Sequence, residues 1–300
     1  MSRNPAAQTA FGPMVLAAVE HNEAPERRLV DDALAESFLP SGLRAVVRLT
    51  RVGLLRSAMI AASQRSGPGL WASIVCRKRF IDERISDPVN EIDAVVILGS
   101  GLDTRGYRIA RYSELPVFEL DQQVNIERKT ATVERVLGAV PASVRLVSVD
   151  FERDDVMTAL ADNGFHDTGR TLFIWEGVTQ YLTPEAVHSM FEQLRAVAPG
   201  SRLIFTYVRQ DFIDGTNLYG AEAVYRKFRR RRHLIPRRVA HPQVWKSGFE
   251  PERVEEMLRG YGWRLFEQAG PSYYRDLYIR PTGRQISASP IEWTALAVRA

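Results

Sequence analysis

The chain has 300 residues, 45% of them apolar, and a formal net charge of +4. That is enough apolar material for a large core, and α/β folds often reach this length as one unit. A single cysteine, Cys76, excludes a disulfide framework and a cysteine-based zinc cluster.

His21, His166, His188, His233 and His241 lack metal-ligand spacing, so no metal is expected. No apolar run approaches the roughly 20 residues needed to cross a bilayer. The N-terminus has no clear signal-peptide cleavage pattern. A cytoplasmic protein with no membrane partner is expected, with a monomer as the default.

In chain order, residues 1–90 read as a helical extension without strands. Thr50 to Gln64 is apolar at helical spacing, Gly67-Pro68-Gly69 breaks it, and a further helix runs from Leu70 to Ile85. Strands are then expected near 94–98, 117–120, 145–149, 171–175 and 202–208. Helices near 103–112, 122–138, 152–163 and 184–197 separate them. Such alternation makes a parallel, doubly wound sheet. Thr183-Pro184 starts a helix with Thr183 as its cap.

After Val208 the rhythm fails. Residues 209–250 read as an inserted lid over the ligand edge. They carry a basic run: Arg226, Lys227, Arg229, Arg230, Arg231, Arg232, Arg237 and Arg238. A solvated helix face is the plain explanation; a basic cover for an acidic substrate is the second, and nucleic acid or an anionic membrane is disfavoured. A helix near 251–260 and strands near 263–267 and 291–298, close to a hairpin, complete seven strands in a single domain over 1–300.

The most informative stretch is Val95-Val96-Ile97-Leu98-Gly99-Ser100-Gly101-Leu102-Asp103-Thr104-Arg105, an apolar strand running into a glycine turn and a helix. A second apolar run ends in acid at Val117-Phe118-Glu119-Leu120-Asp121. Strand, close-approach turn and acid at the next strand tip describe a nucleoside site. A dinucleotide fingerprint needs a third glycine or alanine where Thr104 stands. Asp103 at the mouth of the helix also opposes a pyrophosphate. A phosphate-free, cationic cofactor fits better, and S-adenosylmethionine is one, with Asp121 taking the ribose hydroxyls.

These residues resemble the leucine carboxyl methyltransferase family, which includes an actinobacterial branch of S-adenosylmethionine-dependent methyltransferases. Ile97 to Arg105 is similar to its glycine loop, and Phe118-Glu119-Leu120-Asp121-Gln122 to its second-strand motif. Trp175-Glu176-Gly177-Val178-Thr179-Gln180-Tyr181-Leu182 is similar to its fourth-strand motif, and Arg77-Lys78-Arg79-Phe80-Ile81-Asp82 to its upstream arginine motif. The resemblance covers about residues 70–208 strongly.

It implies a class I, Rossmann-like methyltransferase fold. It places Arg77 on the methionine carboxylate of the cofactor, and Gly99, Ser100, Gly101, Asp121 and Gln122 around the nucleoside. Asp103 is assigned to water or the amino group, or serves only as a helix-start acid. Asp150 and Phe151 are placed at the adenine, with a helix-capping role for Asp150 as the alternative. Glu176 would take the ammonium or the sulfonium region, and Tyr181 would line an acceptor pocket.

Transfer to an already ionised carboxylate needs alignment and water exclusion rather than a base. The reading is methylation of a carboxylate or hydroxyl oxygen on a small, anionic molecule. The alternatives are a non-catalytic S-adenosylmethionine or RNA binder and, less favoured, an NAD(P)-dependent oxidoreductase.

Overall fold

The computed structural model describes residues 11–86, 91–229 and 244–300, with 227–229 as backbone only. Seven strands form one sheet: β1 (Ala94–Leu98), β2 (Val117–Asp121), β3 (Val144–Ser148), β4 (Thr171–Trp175), β5 (Arg202–Val208), β6 (Trp263–Ala269) and β7 (Glu292–Arg299). Their spatial order is β3-β2-β1-β4-β5-β7-β6. The first five run parallel, and β7 lies antiparallel between β5 and β6. This is the doubly wound sheet that the alternating pattern predicts, with its strands within two residues of expectation.

β1, β2 and β4 are buried at every position, which is why β1 and β4 read as almost wholly apolar runs, while β2 carries Glu119 and Asp121. Alternate side chains feed two cores. Val95 and Ile97 face a core shared with Trp71, Phe80 and Tyr107, while Val96 and Leu98 face one with Phe173, Trp175 and Phe191. β6 and β7 pair antiparallel, close to the hairpin expected, with a long connection. Between them lie a short helix, α13 (Pro271–Tyr274), and a winding segment through Thr282.

The helical extension packs on the first core. The helices here are α1 (Phe11–His21), α2 (Ala35–Phe38), α3 (Ser41–Leu49), α4 (Gly53–Ser66) and α5 (Leu70–Ser86). The helix expected from Thr50 to Gln64 is α4, which begins at Gly53; Thr50 instead caps the end of α3. Thr50 Oγ1 donates to the Val47 carbonyl at 2.6 Å and accepts from Asn22 Nδ2 at 3.1 Å, which ties the turn to the end of α1. Glu20, fully buried on α1, accepts from Trp71 Nε1 at 2.7 Å and pairs with Arg284 at 2.7 Å, joining the extension to the C-terminal segment.

After β1 come α6 (Arg105–Ile109), α7 (Gln123–Leu137), α8 (Val156–Asp162), α9 (Pro184–Gln193), α10 (Gln210–Asp214), α11 (Glu222–Arg229) and α12 (Val254–Gly260). Thr183 caps α9 as expected, accepting from the Ala186 amide at 3.2 Å. The described parts of 209–250 are 209–229, which hold α10 and α11, and 244–250. Phe212, Ile213, Val224 and Trp245 bury a third apolar cluster with Val208 at the end of β5. Residues Arg230 to Arg238, His233 and His241, in the basic run and its flank, lie outside the described residues.

Candidate functional site at the carboxyl edge of the sheet

The glycine turn is held by β2. The amides of Gly99 and Ser100 both donate to the Leu120 carbonyl, at 2.8 and 2.9 Å. Gly99 has φ 75 and Gly101 φ 45, in the left-handed region that glycine enters without steric cost. A Cβ on Gly99 would stand 2.3 Å from Val178 Cγ2, so the turn and the loop after β4 interlock.

Asp121 ends β2 beside this turn. Its Oδ2 accepts from the Gly101 amide at 2.7 Å, and its Oδ1 accepts from Gln122 N and Asn125 Nδ2, both at 2.7 Å. With one donor each oxygen can take a second, so Oδ2 keeps acceptor capacity while Oδ1 is saturated. Gln122 is the cap residue of α7. Ser100 Oγ is buried without a hydrogen-bond partner.

Two residues before Asp121, on the same face of the strand, Glu119 is fully buried. It pairs with Lys129 at 2.6 Å and accepts from the Tyr107 hydroxyl at 2.9 Å. Burial pushes its carboxyl up, against the pull of the Lys129 ammonium. Lys129 also donates to the Ser100 carbonyl at 3.3 Å. Both acids of β2 therefore act on the glycine turn, Asp121 directly and Glu119 through Lys129.

The fourth strand tip carries Glu176, and a buried ion network converges on it. Arg77 Nε lies 2.9 Å from Glu176 Oε1, and the same guanidinium pairs with Glu292 at the start of β7. Lys78 Nζ is 3.5 Å from Glu176 Oε1. Arg105 reaches Glu176 Oε2 at 2.6 Å, Asp103 Oδ2 at 2.5 Å and Asp82 at 2.6 Å. Arg108 completes the set on Asp82 at 3.0 Å.

Four cations thus meet four carboxylates. Burial alone would raise the Glu176 carboxyl, but Lys78, Arg105 and Arg77 outweigh it and hold it well below the ordinary range. Asp103 is lowered in the same way, burial being overcome by Arg105 and Lys78.

Arg77 and Glu176, expected on opposite charges of one ligand, are therefore placed on each other. Asp103 accepts from the first amide of α6, Arg105 N, at 2.8 Å, as a helix-start acid does, and its other oxygen holds the Arg105 guanidinium. Asp150, past β3, accepts from the Glu152 amide at 3.1 Å and is partly open to solvent. It does not cap the next helix; Asp155 does, accepting from Thr158 N at 2.7 Å. Phe151 is buried in the second core. Tyr181, half-buried, packs with the cluster of Phe212 and Trp245. His188 lies on α9 against the Tyr261 hydroxyl at 2.5 Å, away from the edge network. Among the described residues no acid, histidine and cysteine group forms a metal cluster.

Lys78, Asp82 and Arg105 stand within the motifs without a role read from sequence. Glu119 likewise stands within the second-strand motif without a role, while Lys129 and Glu292 lie outside the motifs. An acid between apolar residues of a buried strand demands a buried partner, so Glu119 is a usable signal; Glu292 offers none.

The residues fit the cofactor that the sequence suggests. A methionine end carries one carboxylate and one ammonium. Arg77 and Glu176 present one charge of each sign at this edge, the complement of those two groups.

A seven-stranded sheet of this order, with a glycine turn and a strand-tip acid at its carboxyl edge, defines a class I methyltransferase fold. Two solved structures share it. One is titled a "putative methyltransferase" from Thermobifida fusca, with 18% identity, TM-score 0.55, and coverage of 96% of this chain and 94% of that one. The other is a DUF574 family protein from Streptomyces avermitilis, with 15% identity, TM-score 0.53, and coverage of 82% and 91%.

Residues 10–195 match the family model described as leucine carboxyl methyltransferase. Relatives named "Putative S-adenosyl-L-methionine-dependent methyltransferase" include one from Mycobacterium avium (strain 104), 33% identical over 84% of this chain and 78% of its own length. Another, from Mycobacterium sp. (strain JLS), is 34% identical over 87% and 84%. The chain belongs to the leucine carboxyl methyltransferase family, and that membership makes it an S-adenosylmethionine-dependent methyltransferase.

Proposed function

We propose that the chain methylates a carboxylate or hydroxyl oxygen of a small molecule. The observation that carries this reading is the buried, charge-balanced network around Glu176, set beside the glycine turn and Asp121. When bound, S-adenosylmethionine supplies a methyl group on a sulfonium that is already activated for displacement.

The residues of the chain do the rest. Asp121 Oδ2 accepts from a ribose hydroxyl, and Asp150 and the Phe151 backbone meet the adenine at the end of β3. Arg77 and Glu176 open to hold the methionine carboxylate and ammonium, while Arg105 stays fixed by Asp82 and Asp103. Tyr181 and Phe212 wall the acceptor side, and we read Val224 and Trp245 as continuing that wall, within one domain of 1–300.

A carboxylate acceptor arrives ionised near neutral pH, so these residues need only align it and exclude water. The family description, which names a carboxyl acceptor, supports that choice.

The test is incubation with methyl-labelled S-adenosylmethionine and a panel of small carboxylic acids, phenols and amines. Label released as methanol by mild base identifies a methyl ester, and base-stable label on a phenol identifies an ether. Label confined to the amines contradicts the proposal.

A further inference from the structure

α3 and α4 turn an apolar face outward that the fold does not use. Their inner sides are anchored by Val47 and Ile60, which are buried. On the outside stand Val46, Leu49, Val52, Leu54 and Leu55, exposed by 45, 60, 56, 79 and 45%. Among the described residues only Tyr112, Val124, Phe266 and Leu277 are comparably exposed large apolar side chains, and they are scattered along the chain. Five within ten residues make a patch, and such patches mark interaction surfaces.

The charge around the patch is one-sided. Residues 41–66 contain Arg44, Arg48, Arg51, Arg56 and Arg65 and no acid. Glu36 reaches Arg48 and Arg51, and Glu23 reaches Arg56, so positive charge remains in excess. Exposure peaks at Leu49, Val52 and Leu54, where one helix ends and the next begins. The apolar side chains therefore sit at a junction rather than in a groove.

Self-association through this face would set arginine against arginine. Apolar side chains ringed by arginine are instead what an interfacial helix presents to an anionic lipid surface, burying the first and pairing the second with headgroups.

We propose that α3 and α4 dock the protein on anionic bilayers, with Leu49, Val52, Leu54 and Leu55 entering the headgroup boundary. This revises the expectation of no membrane partner. It requires no membrane-crossing helix, and none of the described helices is long and apolar enough to be one. It is also independent of the methyl acceptor.

The experiment is co-sedimentation of the full chain with phosphatidylglycerol–phosphatidylcholine vesicles and with phosphatidylcholine vesicles alone. Leu49→Ser/Leu54→Ser and, as a second pair, Val52→Ser/Leu55→Ser are run in parallel, with melting temperature as the control for folding. Salt-sensitive binding to the anionic vesicles is expected, weakened about tenfold or more by either pair at an unchanged melting temperature.

Three results overturn the proposal. No binding to anionic vesicles removes it. Undiminished binding by both variants assigns the lipid contact to the arginine-rich 226–238 run instead. A concentration-dependent dimer that the variants abolish makes a second copy of the chain the occupant.

Discussion

Lys129 Nζ and Glu119 Oε2 form an ion pair at 2.6 Å in which neither side chain touches solvent. Removing one partner strands a buried charge, which typically costs about 3–5 kcal/mol, whereas replacing both by apolar groups is close to neutral. Lys129→Met should therefore lower the unfolding free energy by about that amount in urea denaturation. Glu119→Leu/Lys129→Met should recover most of it. Equal losses in single and double variants would show that the pair is not what holds the site.

The Gly99 turn gives a second outcome. Gly99→Ala forces a Cβ onto Val178 and an unfavourable φ of 75 onto an L residue. The left-handed conformation alone costs roughly 1–2 kcal/mol. Binding of S-adenosylhomocysteine, read by calorimetry, should weaken about tenfold or more. Adding Val178→Ala should restore part of the loss, because it removes the contact and leaves the backbone strain. Full restoration would mean that the conformation of the turn carries no weight.

Asp150 and Asp155 separate binding from stability. Asp155→Ala removes a helix cap and should cost about 1 kcal/mol of stability without changing cofactor affinity. Asp150→Ala should do the reverse, weakening S-adenosylhomocysteine about tenfold through loss of one charge-assisted hydrogen bond. Melting curves and titrations of both variants check the division; exchanged phenotypes would return Asp150 to a structural role.

How much of this was legible follows from where each signal resides. The strand bounds were readable because β1, β2 and β4 are buried on both faces, so their residues are mostly apolar and end at turn chemistry. Asp121 and the glycine turn were readable because a strand tip and its loop are local. The Glu176 network was not, since it joins Arg77, Arg105 and Glu292 from three distant parts of the chain. Only the β5–β7 pairing brings Glu292 to the same edge. The start of α4 at Gly53 rather than Thr50 was hidden for a similar reason, because Thr50 is tied to Asn22, just past the end of α1.

The network also predicts a pH dependence. The carboxyls of Glu176 and Asp103 are depressed in the folded chain, so their stabilisation is present above the ordinary carboxylate range. It is lost as pH falls from that range toward the folded values, because the unfolded chain binds the proton first. For one such group the slope is about 1.4 kcal/mol per pH unit. Glu119 is shifted upward, and its contribution runs the opposite way, declining as pH rises. Glu176→Gln should be less stable at pH 7, and its stability curve should converge on the unaltered protein as pH drops below about 4.5. Parallel curves in urea titrations between pH 7 and 3 would contradict the assigned charge state.

The most direct measurement is calorimetric titration of the protein and of Asp121→Ala with S-adenosylhomocysteine, with NADH in parallel. The account predicts saturable binding of S-adenosylhomocysteine to the unaltered protein, none of NADH, and loss of binding in Asp121→Ala at an unchanged fold. Binding of NADH, or undiminished S-adenosylhomocysteine affinity in Asp121→Ala, would contradict the nucleoside site placed at the tip of β2.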